Sequence, residues 1–397
     1  MLRLFNLLAL LPAAFAAPSQ HSNLVRVKRQ EADLIPNQYL IKASPSADLE
    51  TVKADVARIL GVEEFVPDEE FRINDVFEGF KVEAAPEVAE QLNALNTVEK
   101  VQQDFMVEIQ AITQQTDPPY GLARISSRTR GTTSYKYDDS AGAGTFVYVV
   151  DTGINLNHVD FGGRASFGFS AVTDEANGDL NGHGTHCAGT AAGRTYGVAK
   201  SASIIDVKVI NRTGRSPLSN LVAGMDWIAN DVRSKGRIGR AVVSMSLGAD
   251  RRAGDTGFLD EATAALADIG VFVTVSSGNA NVDTDLFTPA RVPQVCTVGA
   301  TDRNDRRGDF SNFGPLVDVL APGVDVTSAW IGLTTATNTI TGTSMACPHV
   351  AGVGAYLLGM EGSRNGAQLC SRIQELSTKD VISNLKGEQN RLLYNGV

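Results

Sequence analysis

The sequence predicts two folding units of different class: a small α+β unit of β-α-β-β-α-β order, then a larger α/β unit built on a parallel sheet with helices on both faces. Three observations predict this. Beyond about residue 111 the chain alternates short, almost wholly apolar runs with stretches of helical periodicity, as strands buried on both faces of a parallel sheet do. Charge is uneven: residues 1–110 hold 10 Lys and Arg against 18 Asp and Glu, whereas residues 111–397 hold 25 against 27. A polar, proline-containing stretch, Thr113–Pro119, separates the two.

The elements follow in order. A cationic start at Arg3, an apolar run from Leu4 to Ala17 and the small-x-small triplet Ala14-Phe15-Ala16 read as a secretory signal over residues 1–16. The run is too short to span a membrane, although a retained signal anchor is the alternative. Tyr39–Ile41 reads as a strand and Ala47–Leu60 as a helix. Phe71–Ile73 with Gly79–Glu83 reads as a strand pair. Pro86 opens a second helix carrying Val88, Leu92 and Leu95, and Val98–Ile109 closes with a strand. That order is the ferredoxin-like pattern. Residues 31–110 contain neither Cys nor His.

In the second unit Phe146–Val150, Ile204–Ile210, Ala241–Leu247 and Val271–Val275 are the apolar strand runs. Leu218, Leu221, Val222, Met225, Ala229 and Val232 share one helical face, and Leu259–Ile269 is a further helix. These make residues 111–397 one α/β domain. A calculated pI of about 5.1 and a net charge of −10 argue against a nucleic-acid partner. Past the N-terminus no stretch reaches 18 apolar residues, so no membrane span is expected. The four cysteines, Cys187, Cys296, Cys347 and Cys370, allow three full pairings.

Three short motifs carry chemistry-bearing side chains, at places where open α/β sheets hold their ligands. The apolar run Val147–Val150 ends in Asp151-Thr152-Gly153. The turn Asn181-Gly182 leads into His183-Gly184-Thr185-His186-Cys187-Ala188-Gly189. Thr341-Gly342-Thr343-Ser344-Met345-Ala346 leads into a helix through Cys347-Pro348-His349-Val350. Taken singly, the Asp is a turn or cap residue, the His a loop residue and the Ser a helix cap. Together they supply a nucleophile, a base to take its proton and a carboxylate to fix the tautomer of that base. Only five histidines exist, at 21, 158, 183, 186 and 349, so candidates for the base are few.

These motifs are similar to the signatures of subtilases, in the proteinase K-like branch, and their Asp, His, Ser order is the subtilisin order. The similarity runs from about Tyr120 to Tyr394 and includes Gly121–Ser126, Tyr196–Ala199 and the Asp302–Asn312 region. It implies a subtilisin-like parallel sheet and a secreted serine endopeptidase of broad specificity, with Ser344 as nucleophile, His183 as base and acid, and Asp151 as orienting carboxylate. Asn279, in Ser277-Gly278-Asn279, matches the oxyanion donor. Ser246-Leu247-Gly248 matches one substrate-pairing edge and Gly214-Arg215-Ser216 the opposite one. The P1 pocket would lie between Ser246–Gly248 and Ser276–Asn279, which carry no acidic side chain, so cleavage after apolar or aromatic residues is implied.

The resemblance extends further. Pro293, Val295 and Asp318 match a structural Ca²⁺ site of two carbonyls and a carboxylate, a donor set that suits a hard cation. Cys296 and Cys370 match a disulfide; Cys187 matches a buried free thiol, and Cys347 is read the same way. Residues 36–110 resemble an inhibitor-type propeptide. The expected organisation is therefore a signal over 1–16, a propeptide over 17–110 and a peptidase domain over 111–397, with self-cleavage just before Ala111. The partners expected are protein and peptide substrates and the chain's own propeptide, with the enzyme itself a monomer. Asn211, in the sequon Asn211-Arg212-Thr213, is a candidate glycosylation site. Two features depart from expectation: Ser344 lies in G-x-S-x-A rather than the G-x-S-x-G of α/β-hydrolases, and Phe167–Leu180 matches the family poorly. The competing readings are an inactive binding protein, an esterase and a dedicated precursor-processing protease. They would show a lost triad member, a G-x-S-x-G elbow and acidic residues near Ser246–Gly248, respectively.

Overall fold

A computed structural model describes residues 34–106 and 112–397. The expected signal segment and the cleavage point before Ala111 lie outside the described residues. The chain divides into two compact units between residues 108 and 109.

The first unit runs β1 (Leu34–Ala43), α1 (Leu49–Leu60), β2 (Glu70–Ile73), β3 (Phe77–Glu83), α2 (Pro86–Asn93) and β4 (Val98–Phe105). Its sheet has the order β2-β3-β1-β4 with all neighbours antiparallel, the ferredoxin-like arrangement. Tyr39, Ile41 and Ala43 alternate along β1 to meet Val52, Val56, Phe80 and Leu92 in one core. Asp48 caps α1 by accepting from Thr51 N at 2.8 Å, and Gly61 ends that helix at φ 72°.

The second unit begins with β5 (Ile112–Thr116), α3 (Tyr120–Ile125), β6 (Ser134–Asp138), β7 (Phe146–Asp151), β8 (Ala165–Ser170), α4 (His183–Ala192) and β9 (Ser203–Lys208). It continues with α5 (Leu218–Ser234), β10 (Ala241–Met245), β11 (Ala249–Asp250), α6 (Gly257–Asp268), β12 (Phe272–Ser276), β13 (Phe287–Thr288), β14 (Cys296–Thr301) and β15 (Val319–Pro322). The last elements are β16 (Val326–Ala329), β17 (Thr337–Ile340), α7 (Thr343–Glu361), α8 (Gly366–Leu376), β18 (Thr378–Lys379) and β19 (Arg391–Leu392). Nine of these strands form one sheet in the order β18-β19-β15-β14-β12-β10-β7-β9-β8, parallel at every step except β18 with β19. The main sheet is thus the predicted parallel one.

Each face of the sheet buries its own apolar layer. Helices α4, α7 and α8 cover one side and α5 and α6 the other. Helix α7 is apolar all round, with Met345, Val350, Val353, Tyr356 and Leu357 at most 1% exposed, as a fully interior helix must be. One expectation is corrected. The polar stretch after residue 111 is not a bare connector: β5 pairs with β6 from Ile112↔Asp138 to Thr116↔Ser134. Its polar composition does not prevent this, because the ladder satisfies the backbone and its side chains lie exposed or half-buried. Among the described residues no helix is long and apolar enough to cross a membrane.

Candidate active site

Strand β7 delivers Asp151 to the carboxyl edge of the sheet, fully buried. Helix α4 begins at His183 beside it. The approach is close enough to require glycine: a Cβ on Gly184 would stand 2.2 Å from Gly153 O and 3.1 Å from Asp151 Cβ. His183 Nδ1 consequently lies 2.8 and 2.9 Å from the two Asp151 oxygens. Thr152 N donates to Asp151 Oδ1 at 2.7 Å and holds the carboxylate in place. Burial disfavours charging the imidazole, but the Asp151 carboxylate outweighs it and raises the His183 pKa well above its ordinary value. Burial also pushes the Cys187 thiol up, which disfavours its serving as a thiolate beside the ring.

Ser344 is the second helical residue of α7, after the N-cap Gly342. Its hydroxyl donates to Ser246 O at 3.3 Å, and no hydrogen bond joins it to His183. Cys187 stands between the two, with Sγ 3.9 Å from His183 Nδ1 and 3.4 Å from Ser344 O. Ser246 Oγ donates to the same Ser344 carbonyl at 2.8 Å. Asn279 is oriented by Thr343, whose N–H and Oγ1 both donate to Asn279 Oδ1 at 2.9 Å. That clamp frees the amide nitrogen. Asn279 Nδ2 and Ser344 N are each 3.6 Å from where a Cβ on Gly342 would stand, so two donors flank one space beside the serine. Asn312 braces the segment from below, donating to Ser277 O and accepting from Ala280 N and Val282 N.

A cavity of about 480 Å³ opens next to His183. Gly214 lines it, as do Ser246, Leu247 and Gly248, so both segments expected as substrate edges border one space. The sequence reading missed the rest of the lining. Leu218 and Leu221, which share a helical face with buried residues, line the cavity wall together with Leu259. Asp250 and Asp255 also line it, although the motif segments themselves hold no acid. Asp250 is taken up by Arg252 in a two-oxygen ion pair. Amphipathic spacing alone does not distinguish a core leucine from one lining a cleft. Asn211 follows the cavity-lining Ile210 in the chain, and its Oδ1 accepts from Thr213 N, Thr213 Oγ1 and Arg215 N.

Away from the cleft, Cys296 and Cys370 form a disulfide, while Cys187 and Cys347 are buried free thiols. Asp318 sits beside this disulfide. It accepts from Thr297 N at 2.9 Å and Gln374 Nε2 at 2.8 Å, and has no ion-pair partner among the described residues. Burial raises its pKa to about 6, against the opposing pull of Thr297, Arg391 and Gln374. Val295 is buried and Pro293 exposed, in the segment leading into β14. A half-buried carboxylate with no ion-pair partner among the described residues, accepting from Thr297 N just after the carbonyls of Pro293 and Val295, fits an oxygen-preferring cation.

Residues 142–389 match the subtilase family (peptidase S8). The chain is 45% identical to an alkaline serine protease, ver112, of Corniculantispora psalliotae over the whole of both chains. It is 40% identical to proteinase R of Parengyodontium album over 99% of each. Among solved structures, a cold adapted subtilisin-like serine proteinase superposes with a TM-score of 0.66 at 39% identity, covering 70% of this chain and 99% of that one. With this fold and these relatives, the chain belongs to the subtilase family of serine endopeptidases.

Proposed function

We propose that this protein is a secreted, broad-specificity endopeptidase made as a self-processing zymogen, with Ser344 as nucleophile, His183 as general base and acid, and Asp151 as the carboxylate that orients it. The observation that carries the reading is the bond from His183 Nδ1 to Asp151 at 2.8 Å, which leaves Nε2 as the nitrogen free to take a proton. The reading requires the Ser344 hydroxyl, which here donates to Ser246 O, to turn toward that nitrogen when substrate binds; catalytic bonds are often long in empty sites.

In this mechanism Ser344 Oγ adds to the scissile carbonyl while its proton passes to His183 Nε2. The developing oxyanion is received by Asn279 Nδ2 and Ser344 N. The tetrahedral adduct then collapses, the C–N bond breaks and His183 returns the proton to the departing amine. Water repeats the sequence on the acyl-enzyme and frees the carboxylate. Substrate main chain would pair along Ser246, Leu247 and Gly248 on one side and Gly214 on the other. The apolar cavity walls favour apolar side chains upstream of the cleaved bond.

The carbonyls of Pro293 and Val295 with the Asp318 carboxylate would hold Ca²⁺. When bound, the ion would place a positive charge in direct contact with the half-buried carboxylate. Residues 17–110 act as the chain's own inhibitor and folding partner until cleavage before Ala111, and residues 1–16 direct secretion. The mature enzyme works as a monomer on protein and peptide substrates, with Asn211 available for glycosylation.

The test is expression of the full chain and its Ser344→Ala variant. Wild type should be secreted with an N-terminus near Ala111 and should cleave casein and peptide libraries. Ser344→Ala should accumulate uncut and inactive. Processing of Ser344→Ala at the same bond would refute the assignment of the nucleophile.

A further inference from the structure

Helix α4 begins after Gly182, which has no side chain with which to cap it. The first N–H groups of a helix need acceptors, and here they come from elsewhere. Asp179, 8% exposed, accepts from Thr185 N at 3.0 Å and Thr185 Oγ1 at 2.7 Å through Oδ2. Through Oδ1 it accepts from Asn181 N at 2.9 Å, Gly182 N at 2.8 Å and Thr152 Oγ1 at 2.9 Å. Thr152 Oγ1 in turn accepts from Gly184 N at 2.9 Å. Thr152 directly follows Asp151, and Gly184 directly follows His183. A single hydroxyl therefore joins the turn that carries the carboxylate to the turn that carries the imidazole, and Asp179 holds that hydroxyl.

The lock has a rear anchor as well. Lys208, fully buried at the end of β9, donates through Nζ to Thr152 O at 2.6 Å and lies 3.4 Å from Glu175 Oε2. Both Glu175 and Asp179 belong to the segment between Asp151 and His183 that matches the family poorly in sequence.

We propose that Asp179 and Thr152 are positioning residues that set the His183–Asp151 geometry: Asp179 caps α4 from outside the helix and orients the Thr152 hydroxyl, which fixes the first turn of α4 against the end of β7. Neither touches the reacting atoms. The proposal rests on the reading of Asp151, His183 and Ser344 given above. It predicts a loss in turnover rather than in substrate binding, because displacing an aligned base by even an ångström is costly to rate.

The experiment compares Thr152→Val, Thr152→Ser and Asp179→Asn in the full chain, each matured and assayed on a peptide substrate, with thermal unfolding recorded alongside. Thr152→Val keeps the shape and removes only the hydroxyl. It should lower kcat about 10- to 100-fold with KM within about 2-fold, and Thr152→Ser should restore kcat to within a few-fold of wild type. Unchanged kcat in Thr152→Val, a loss confined to KM, or a kcat loss that serine does not rescue would each overturn the proposal. Should Thr152→Val not accumulate as folded protein, Asp179→Asn is read by the same kcat and KM criteria. Ser344→Ala and His183→Ala are run in parallel. If these two retain activity, the triad reading itself fails; if they lose it while Thr152→Val and Asp179→Asn behave as wild type, only the lock fails.

Discussion

Pro348 lies four residues beyond Ser344 in helix α7 and, having no N–H, leaves the Ser344 carbonyl without the donor that a helix would supply. Ser246 Oγ takes that place at 2.8 Å, with Cys187 Sγ at 3.4 Å. A proline that would weaken an isolated helix thereby ties α7 to the end of β10 and to α4, at the residue proposed as nucleophile. Removing the Ser246 hydroxyl leaves a part-buried carbonyl dependent on one weak thiol donor. Ser246→Ala should cost about 1–3 kcal/mol, measured by urea unfolding in a Ser344→Ala background that cannot digest itself. An unchanged midpoint would mean that this tie contributes nothing to stability.

The Asp151 carboxylate holds the His183 pKa well above its ordinary value. The base must be neutral to act, so activity should rise with pH through that raised value. The acid limb of kcat/KM should have its midpoint above about 6.5, the ordinary histidine value. The linked stability runs the opposite way: the charged pair stabilises fully below the unfolded-state pKa, and this contribution fades as pH rises through the folded one. A limb centred at or below 6.5 would contradict the assignment of His183 as a base paired with Asp151.

Asp206 on β9 is fully buried, and neither of its oxygens has a hydrogen-bond partner. Burial pushes its pKa up to about 7, with Asp179 and Asp151 adding to the rise, while Lys208 and the nearby Ile154 N–H, too poorly placed to make a hydrogen bond, oppose it. A carboxyl raised from its unfolded value of 3.8 stabilises the fold below that value and loses this contribution as pH climbs to about 7. Asp206→Asn, which resembles the neutral acid, should match wild type in Tm near pH 4 and exceed it increasingly up to pH 7, with a constant gap beyond. Equal Tm values at pH 4 and pH 8 would show that the carboxylate has solvent or a partner in solution.

At the proposed cation site, chelation should lower the Tm of wild type at pH 8. Asp318→Asn should remove the response to chelator, and Ca²⁺ should raise Tm by mass action only where Asp318 is present. Identical scans with and without chelator would remove calcium from this description.

Residues 296 and 370 are separated by 74 positions, and their disulfide fixes β14 to α8. Cys370→Ser should reduce stability by about 2–4 kcal/mol, read from denaturant midpoints under non-reducing conditions. A change below about 0.5 kcal/mol would show that the surrounding packing already imposes the constraint.

By itself the sequence determined the class of each unit, the order of the principal strands and the three motifs, because period and apolar content are local properties of a chain. The segments carrying Asp151, His183 and Ser344 stood out for the same reason: each is a short motif at a strand or helix end. The two-stranded ribbon of β5 was not, since a polar surface strand has no buried face to leave a period. Nor was the part of the cleft wall beyond Gly214 and Ser246–Gly248, where Leu218 and Leu221 occupy the same helical stripe as core residues but face a cavity. Only the tertiary structure decided which donors complete each polar group. Asp179 caps a helix it does not belong to, Ser246 replaces the donor that Pro348 removes, and Asp206 is left unpaired. These are contacts between segments distant in the chain, set by how the sheet stacks its strand ends, and no local pattern encodes them.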